Sequence, residues 1–323
     1  MPFHPNFDRM DALSLQGEPF FFMVDFLMEN VEIFSLNEIS ERGLHIDFEG
    51  FKTMKSKQEL PENLVWKTHP ESFENYRKGF DEIKKELRAG NSYLANYTRK
   101  TPIETNLSLE EIFAFTKAKY KVCYPEKFVF FSPETFVKII GNKIFTHPMK
   151  GTIDASNPNA AEVLKTDIKE KAEHYTVVDL LRNDLSMVAN GVRVDEFQRI
   201  DTIKTNGKEL LAMSSEISGI LKPEFHGRVG SIMKNLLPAG SILGAPKRKT
   251  QSIVLKSEVY ERGWYTGISG WFDGKNLDSC VMIRFIEEES GQKFFKSGGG
   301  ITHMSNAESE YEEMKNKIYV PIY

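Results

Sequence analysis

Apolar residues fall at three- and four-residue spacing through residues 71–89. Phe73, Tyr76, Phe80, Ile83 and Leu87 share one face and Gly90 stands as a stop, so the spacing predicts a helix. Residues 19–35 read instead as apolar strand material, and "SYLANYTRK" as a strand after the helix. The stretch "KFVFFSPETFVKIIGNKIFTH" predicts consecutive strands, with Gly141-Asn142 as a tight hairpin turn. Residues 160–188 carry a long helical pattern. The runs "GWYTGISGWF", "DSCVMIRFIEE" and "QKFFKSG" follow as sequential strands, and "AESEYEEMKNKI" closes the pattern as a helix, with Ser305 and Glu308 at capping-box spacing. Strand and helix runs interleave irregularly, which predicts an α+β fold with large antiparallel sheets rather than a regular βαβ winding. The core pattern runs from one end to the other without a repeat or a low-complexity linker, so residues 1–323 read as one domain.

Composition narrows the classes. With 323 residues and a net charge of −4, and with Lys and Arg scattered, there is no basic stripe for nucleic acid or an acidic membrane. "PFFFMVDFLM" contains an aspartate and is too short to span a bilayer, and the N-terminus has no basic region followed by an apolar one. The two cysteines, Cys123 and Cys280, sit in no metal-ligating spacing, so neither a disulfide framework nor a zinc site is expected. The expected place is the cytoplasm.

Several groups have chemical potential. Glu170 and Glu173 lie one helical step apart, as do Glu310 and Glu313. Either pair alone is ordinarily a solvated acidic face. Four carboxylates converging on one pocket would need a cation, and magnesium suits oxygen donors that leave it several waters. Gly298, Gly299 and Gly300 are either a flexible turn or an anion-approachable backbone. Arg284, on a predicted strand face with Cys280, Met282 and Ile286, needs either a structural acidic partner or a bound carboxylate. Lys150, alone between Met149 and Gly151-Thr152, is either a solvated loop charge or a group aimed at something.

The order of the motifs is specific. "SPE" (Ser132–Glu134), "PMKGT" (Pro148–Thr152), "EKAEHYTVVDLLRNDL" (Glu170–Leu185), "PAGSILGAPK" (Pro238–Lys247), "RGWYTGISGW" (Arg262–Trp271), Arg284 in "IRF", "SGGGI" (Ser297–Ile301) and "AESEYEEMKNK" (Ala307–Lys317) occur in succession. Over about residues 70 to 317 the chain closely resembles the chorismate-utilising enzymes, which include the anthranilate, aminodeoxychorismate, isochorismate and salicylate synthases.

The resemblance implies a two-lobed β-sandwich core of large antiparallel sheets with peripheral helices, residues 1–70 being a short N-terminal portion of the same fold. It implies Mg²⁺ bound directly by Glu173 and Glu313 and through waters by Glu170 and Glu310, acting as a Lewis acid on the ring carboxylate of chorismate. Arg284, Tyr265 and the backbone near Gly299 and Gly300 would hold the second carboxylate, and Gly151 and Thr152 would line the ring. Lys150 points to the aminodeoxychorismate synthase branch, where anthranilate synthases usually carry alanine. The implied reaction is amination of chorismate to 4-amino-4-deoxychorismate, on the route to 4-aminobenzoate and folate. Lys150 would be a nucleophile that adds at ring C2 before ammonia enters at C4, and an amine attacks only in its neutral form.

Leu94 stands where the isochorismate and salicylate synthases place a base lysine and where most ammonia-using relatives have glutamine. Ala212 stands where the family often has histidine. The family's tryptophan-binding motif is not visible. No Gly-Cys-x-Gly turn is present, so ammonia is expected from a separate glutamine amidotransferase subunit or from solution. Anthranilate synthase component I and a non-catalytic chorismate-binding subunit are the alternative readings.

Overall fold

The runs Phe20–Val24 and Phe128–Ser132 are buried along their whole length. Strands apolar on both faces belong inside a packed layer, and each of these lies within one of two antiparallel sheets. A computed structural model describes residues 3–54, 61–205 and 208–321. Among these, nine strands form each sheet. The first sheet runs from the edge strand Met149–Asp154 through Lys208–Leu221, Thr135–Ile140 and Leu277–Val281 to Phe20–Val24 and Val31–Phe34. The second runs from Leu94–Thr105 through Gln292–Ile301, Phe285–Glu289 and Phe128–Ser132 to His45–Phe48. Aromatic rings fill the space between them. Phe21 of the first sheet meets Phe48 of the second edge-on, with centroids 5.8 Å apart, and Phe51 stacks on Trp271 at 3.9 Å. Helices cover the outside. The expected α+β architecture of two large antiparallel sheets with peripheral helices is the one observed, and no helix among the described residues is long and apolar enough to cross a membrane.

The predicted helix over 71–89 forms as Phe73–Arg88, capped by Ser72, whose hydroxyl accepts from the Asn75 amide. The Gly141-Asn142 turn joins Thr135–Ile140 to Lys143–Thr146 as expected. Other expectations need correction. The 160–188 pattern is two helices, Ala160–Thr166 and Ile168–Val188. Asp167 separates them because its carboxylate accepts from the Glu170 amide at 2.8 Å and starts the second. The last helix, Ala307–Asn316, is capped by Asn306 rather than by a Ser305–Glu308 box. Ser305 turns back to accept from the Thr302 amide at 3.1 Å. The glycine run is no flexible turn after a strand. It lies within Gln292–Ile301, paired to Asn96, Tyr97 and Thr98. The long antiparallel pair Ala189–Thr205 and Lys208–Leu221 was not anticipated.

"DSCVMIRFIEE" is not one strand. Leu277–Val281 belongs to the first sheet and Phe285–Glu289 to the second, so the chain crosses between sheets at residues 282–284. Arg284 takes the crossing at φ +53°, a left-handed conformation unusual for a side-chain-bearing residue. It therefore does not share a strand face with Cys280 and Met282. The "SPE" motif does the same: Phe128–Ser132 lies in the second sheet and Thr135–Ile140 in the first, with Pro133-Glu134 between. The two crossings lie side by side, the Phe131 amide donating to the Arg284 carbonyl and the Val281 amide to that of Glu134.

Candidate active site

These crossings open a cavity of about 290 Å³ where the two sheets meet. The edge strand Met149–Asp154 supplies Lys150 and Gly151. Pairing with Lys208–Leu221 slips between Lys150 and Thr152, leaving Gly151 as a bulge at φ +68°. A Cβ on Gly151 would stand 2.8 Å from a Glu170 carboxylate oxygen, so the glycine lets the glutamate helix approach the strand. Lys150 reaches across to the second sheet. Its Nζ lies 3.3 Å, and Leu94 Cδ1 3.0 Å, from where a Cβ on Gly300 would stand. Lys150 therefore lines the cavity rather than serving as a solvated loop charge.

The glycine strand forms the floor. Oxygens of Glu310 and Glu313 each lie 3.4 Å from the point a Gly299 Cβ would occupy, and Lys317 Nζ lies at 3.7 Å. Any side chain there would intrude on the carboxylates. Glu170 and Glu173 line the same cavity from the helix Ile168–Val188. Glu170, Glu173 and Glu313 thus line one cavity, while Glu310 is buried beside Glu313 at Gly299 and is not part of the lining. Among the described residues, however, no three acidic, histidine or cysteine side chains stand close enough together to hold a metal ion. Glu313 is instead engaged by Lys317 Nζ at 2.6 Å. As hard oxygen donors the four carboxylates fit magnesium in kind.

Tyr265 and Arg284 line the cavity as expected. Arg284 also lies over the Tyr319 ring at 5.3 Å. Burial pushes the Tyr265 hydroxyl up, so it stays a neutral donor. The backbone of Thr152 pairs with Ala212, and its side chain lies outside the described residues. Ala212 is fully buried and is not among the residues lining the cavity.

Four lining groups carry roles that spacing did not reveal. Burial pushes the Glu134 carboxyl up, against a 2.6 Å hydrogen bond from Ser241 and the charges of Lys150, Arg284 and Lys317, which pull it down. Burial lowers the Lys317 ammonium, against Glu313, and Lys317 also donates to the Gly298 carbonyl at 2.8 Å. Asn96 Oδ1 is a buried acceptor with no hydrogen-bond partner among the described residues. Ser241 belongs to the constrained loop that precedes the helix Lys247–Ser257. The glutamate at the second position after Ser132 was the available signal for Glu134, since a crossover residue must point somewhere other than a sheet face.

Buried ion pairs hold this arrangement. Asp184, near the end of "EKAEHYTVVDLLRNDL", pairs with Lys247 of "PAGSILGAPK" at 2.8 Å. Lys84 donates to the carbonyls of Thr302, His303 and Ser305 and fixes the approach to the second glutamate helix. Arg262, fully buried, binds Glu258 with two donors at 2.8 and 2.7 Å. It also donates to the carbonyls of Asn96 (2.6 Å) and Ile242 (3.1 Å) and to the Thr266 hydroxyl (3.2 Å). Asn96, Ile242 and Thr266 all line the cavity.

Comparison with known proteins follows the same lines. The sequence profile of the family described as chorismate binding enzyme matches residues 27–322. A protein of Haemophilus influenzae named "Uncharacterized PabA-like protein" is 50% identical over 316 residues, covering 98% of this chain and 96% of that one. A protein of Pasteurella multocida with a similar name is 46% identical over 324 residues, covering all of both chains. Among solved structures, the isochorismate synthase DhbC from Bacillus anthracis, described as putative and 2,3-dihydroxybenzoate-specific, superposes with a TM-score of 0.70 at 18% identity. It covers 97% of this chain and 85% of that one, a likeness of fold.

Proposed function

The chain belongs to the chorismate binding enzyme family, and we propose that within it this protein aminates chorismate to 4-amino-4-deoxychorismate. The observation that carries the reading is Lys150, whose Nζ stands at Gly300 inside the cavity that Glu170, Glu173 and Glu313 line. Arg284, Tyr265 and the backbone at Gly299 and Gly300 would hold one substrate carboxylate, the guanidinium offering its planar pair of donors. The Lys150 amine would add at ring C2 while the 4-hydroxyl leaves with a proton held by Glu134, whose raised carboxyl suits that task. Ammonia then enters at C4 and displaces Lys150, so chorismate and ammonia give the amine and water. Magnesium, held by Glu170, Glu173, Glu310 and Glu313, would supply Lewis-acid withdrawal through the ring carboxylate when bound.

A separate glutamine amidotransferase is the proposed source of ammonia. Cys123 and Cys280 are both buried, and burial pushes both thiols far up, so neither is a glutaminase nucleophile. The cytoplasm, with its supply of both substrates, is the proposed location. The test is the purified chain with chorismate, ammonium and magnesium, with and without EDTA, products being separated chromatographically. Aminodeoxychorismate formed only with metal is the expected result. Anthranilate with pyruvate, or a rate indifferent to EDTA, overturns the reading.

A further inference from the structure

Past the second glutamate helix, Ala307–Asn316, the chain continues as an irregular segment over residues 317–321. Burial alternates along it, as in an extended chain. Ile318 and Val320 sink into the main apolar core. Lys317 and Tyr319 alternate with them and turn the other way. Lys317 lines the substrate cavity, and the Tyr319 ring lies against the Arg284 guanidinium, 5.3 Å from its centroid. Tyr319 is not itself among the residues lining the cavity. The segment is tied down at its far end, where the Lys117 amide donates to the Pro321 carbonyl at 3.2 Å.

Arg284 has a fixed backbone and an uncommitted head group. Its carbonyl accepts from the Phe131 amide at 3.2 Å, yet among the described residues its half-buried guanidinium makes no hydrogen bond and no ion pair. The acids nearby are engaged elsewhere. Glu134 feels the Arg284 charge but takes its hydrogen bond from Ser241 at 2.6 Å, and Glu313 takes Lys317 at 2.6 Å. The Tyr319 ring is thus the one side-chain contact that holds the guanidinium among the described residues. A ring attracts a cation through its face and uses none of its N–H groups, whereas a carboxylate in that place would take two donors and compete with a ligand. We propose that Tyr319 is a positioning residue for chorismate: its ring holds the Arg284 guanidinium at the cavity with its donors free for a substrate carboxylate. The proposal rests on the reading that Arg284 takes such a carboxylate. Without the ring, the long side chain would have to be ordered by the substrate itself, at a cost in affinity.

Chorismate is the probe, titrated calorimetrically into the full chain and its variants with magnesium and without ammonium, so the readout needs no turnover. Tyr319→Leu should weaken binding about three- to tenfold, the worth of one ordered side chain. Tyr319→Phe keeps the ring and should bind as wild type does. In an Arg284→Ala background, Tyr319→Leu should cost nothing further, because its effect passes through the guanidinium. A merely structural tyrosine would instead lower the melting temperature and weaken binding equally in both backgrounds. That equal loss, unchanged affinity in Tyr319→Leu, or a Tyr319→Phe loss as large as that of Tyr319→Leu overturns the proposal. The two readings fail separately. If Arg284→Ala weakens binding and Tyr319→Leu does not, the carboxylate reading of Arg284 stands and only the role of Tyr319 falls. If Arg284→Ala leaves binding unchanged, the reading of Arg284 falls and the proposal with it.

Discussion

Arg262→Met tests whether the cavity is held open by its buried charge network. The guanidinium is fully inaccessible and its five donor contacts span three separate segments. Methionine fills much of the volume and removes every donor. Glu258, with a side chain 1% exposed, would keep its bonds from the Thr98 amide and hydroxyl but lose its counter-charge. Breaking a buried pair by deleting one partner costs about 3–5 kcal/mol, much of it from the stranded charge. The carbonyls of Asn96 and Ile242 are stranded too, so the upper part of that range is expected. Chemical denaturation followed by fluorescence and circular dichroism measures the loss. Adding Glu258→Gln removes the charge yet keeps an acceptor for Thr98, so the double variant should recover about 1–2 kcal/mol of it, in line with the cost of one uncompensated buried group. A single variant within about 1 kcal/mol of wild type, or a double variant no more stable than the single, would refute the reasoning.

Other expectations follow from the same geometry. Lys150→Ala should leave chorismate binding intact while amination slows markedly and the residual product shifts to the anthranilate type, read by single-turnover product analysis. Wild-type rate and product would return Lys150 to a passive charge. Arg284→Ala should weaken chorismate binding by about 1.5–3 kcal/mol, and an unchanged KM with a lowered Tm would mark Arg284 as structural. Glu134→Gln should lower kcat by about 10²-fold or more with little change in KM, as for loss of a general acid. His174 is fully buried, and burial, with the charge of Lys150 adding to it, lowers its pKa to about 4. A lowered folded-state value favours the neutral ring, so this stability is present above pH 6.5 and is lost as pH falls toward 4. The loss amounts to about 3 kcal/mol, measurable by denaturation in metal-free buffer, and His174→Gln should flatten it.

The sequence pattern reached some of this architecture and not the rest, for identifiable reasons. Apolar spacing placed the helix Phe73–Arg88, and the Gly141-Asn142 dipeptide placed a hairpin, because each depends on neighbours within a few residues. Motif order pointed to Glu170, Glu173, Glu313, Lys150, Tyr265, Arg284 and the glycine strand, which line one cavity, whereas Glu310 of the same motifs is buried outside the lining. A period of two says which face a strand residue takes, but not which sheet the strand joins. The crossings at Pro133-Glu134 and at residues 282–284 were therefore invisible, and with them the reason Glu134 and Arg284 meet. The strand Ala189–Thr205 slips register three times against its partner, which breaks the alternation a strand is read from. Arg262 opens the "RGWYTGISGW" motif, but its role was not legible there, since beyond Glu258 its partners Asn96 and Ile242 lie far away in the chain.

The two departures from the family pattern take on different meanings in the structure. Ala212 sits in the sheet, in register with Thr152, and is not among the residues lining the cavity. Glu134 then stands as a carboxyl that lines the cavity and is raised by burial, and it can hold the proton a leaving hydroxyl needs. Leu94 is within the working space, its methyl converging with Lys150 Nζ on Gly300. Leucine offers no hydrogen-bonding group to fix or deprotonate a water there. The corner where a water-activating base would stand is apolar, and the group beside it is an amine. In the proposed reaction, that pairing accords with nitrogen rather than water as the entering nucleophile.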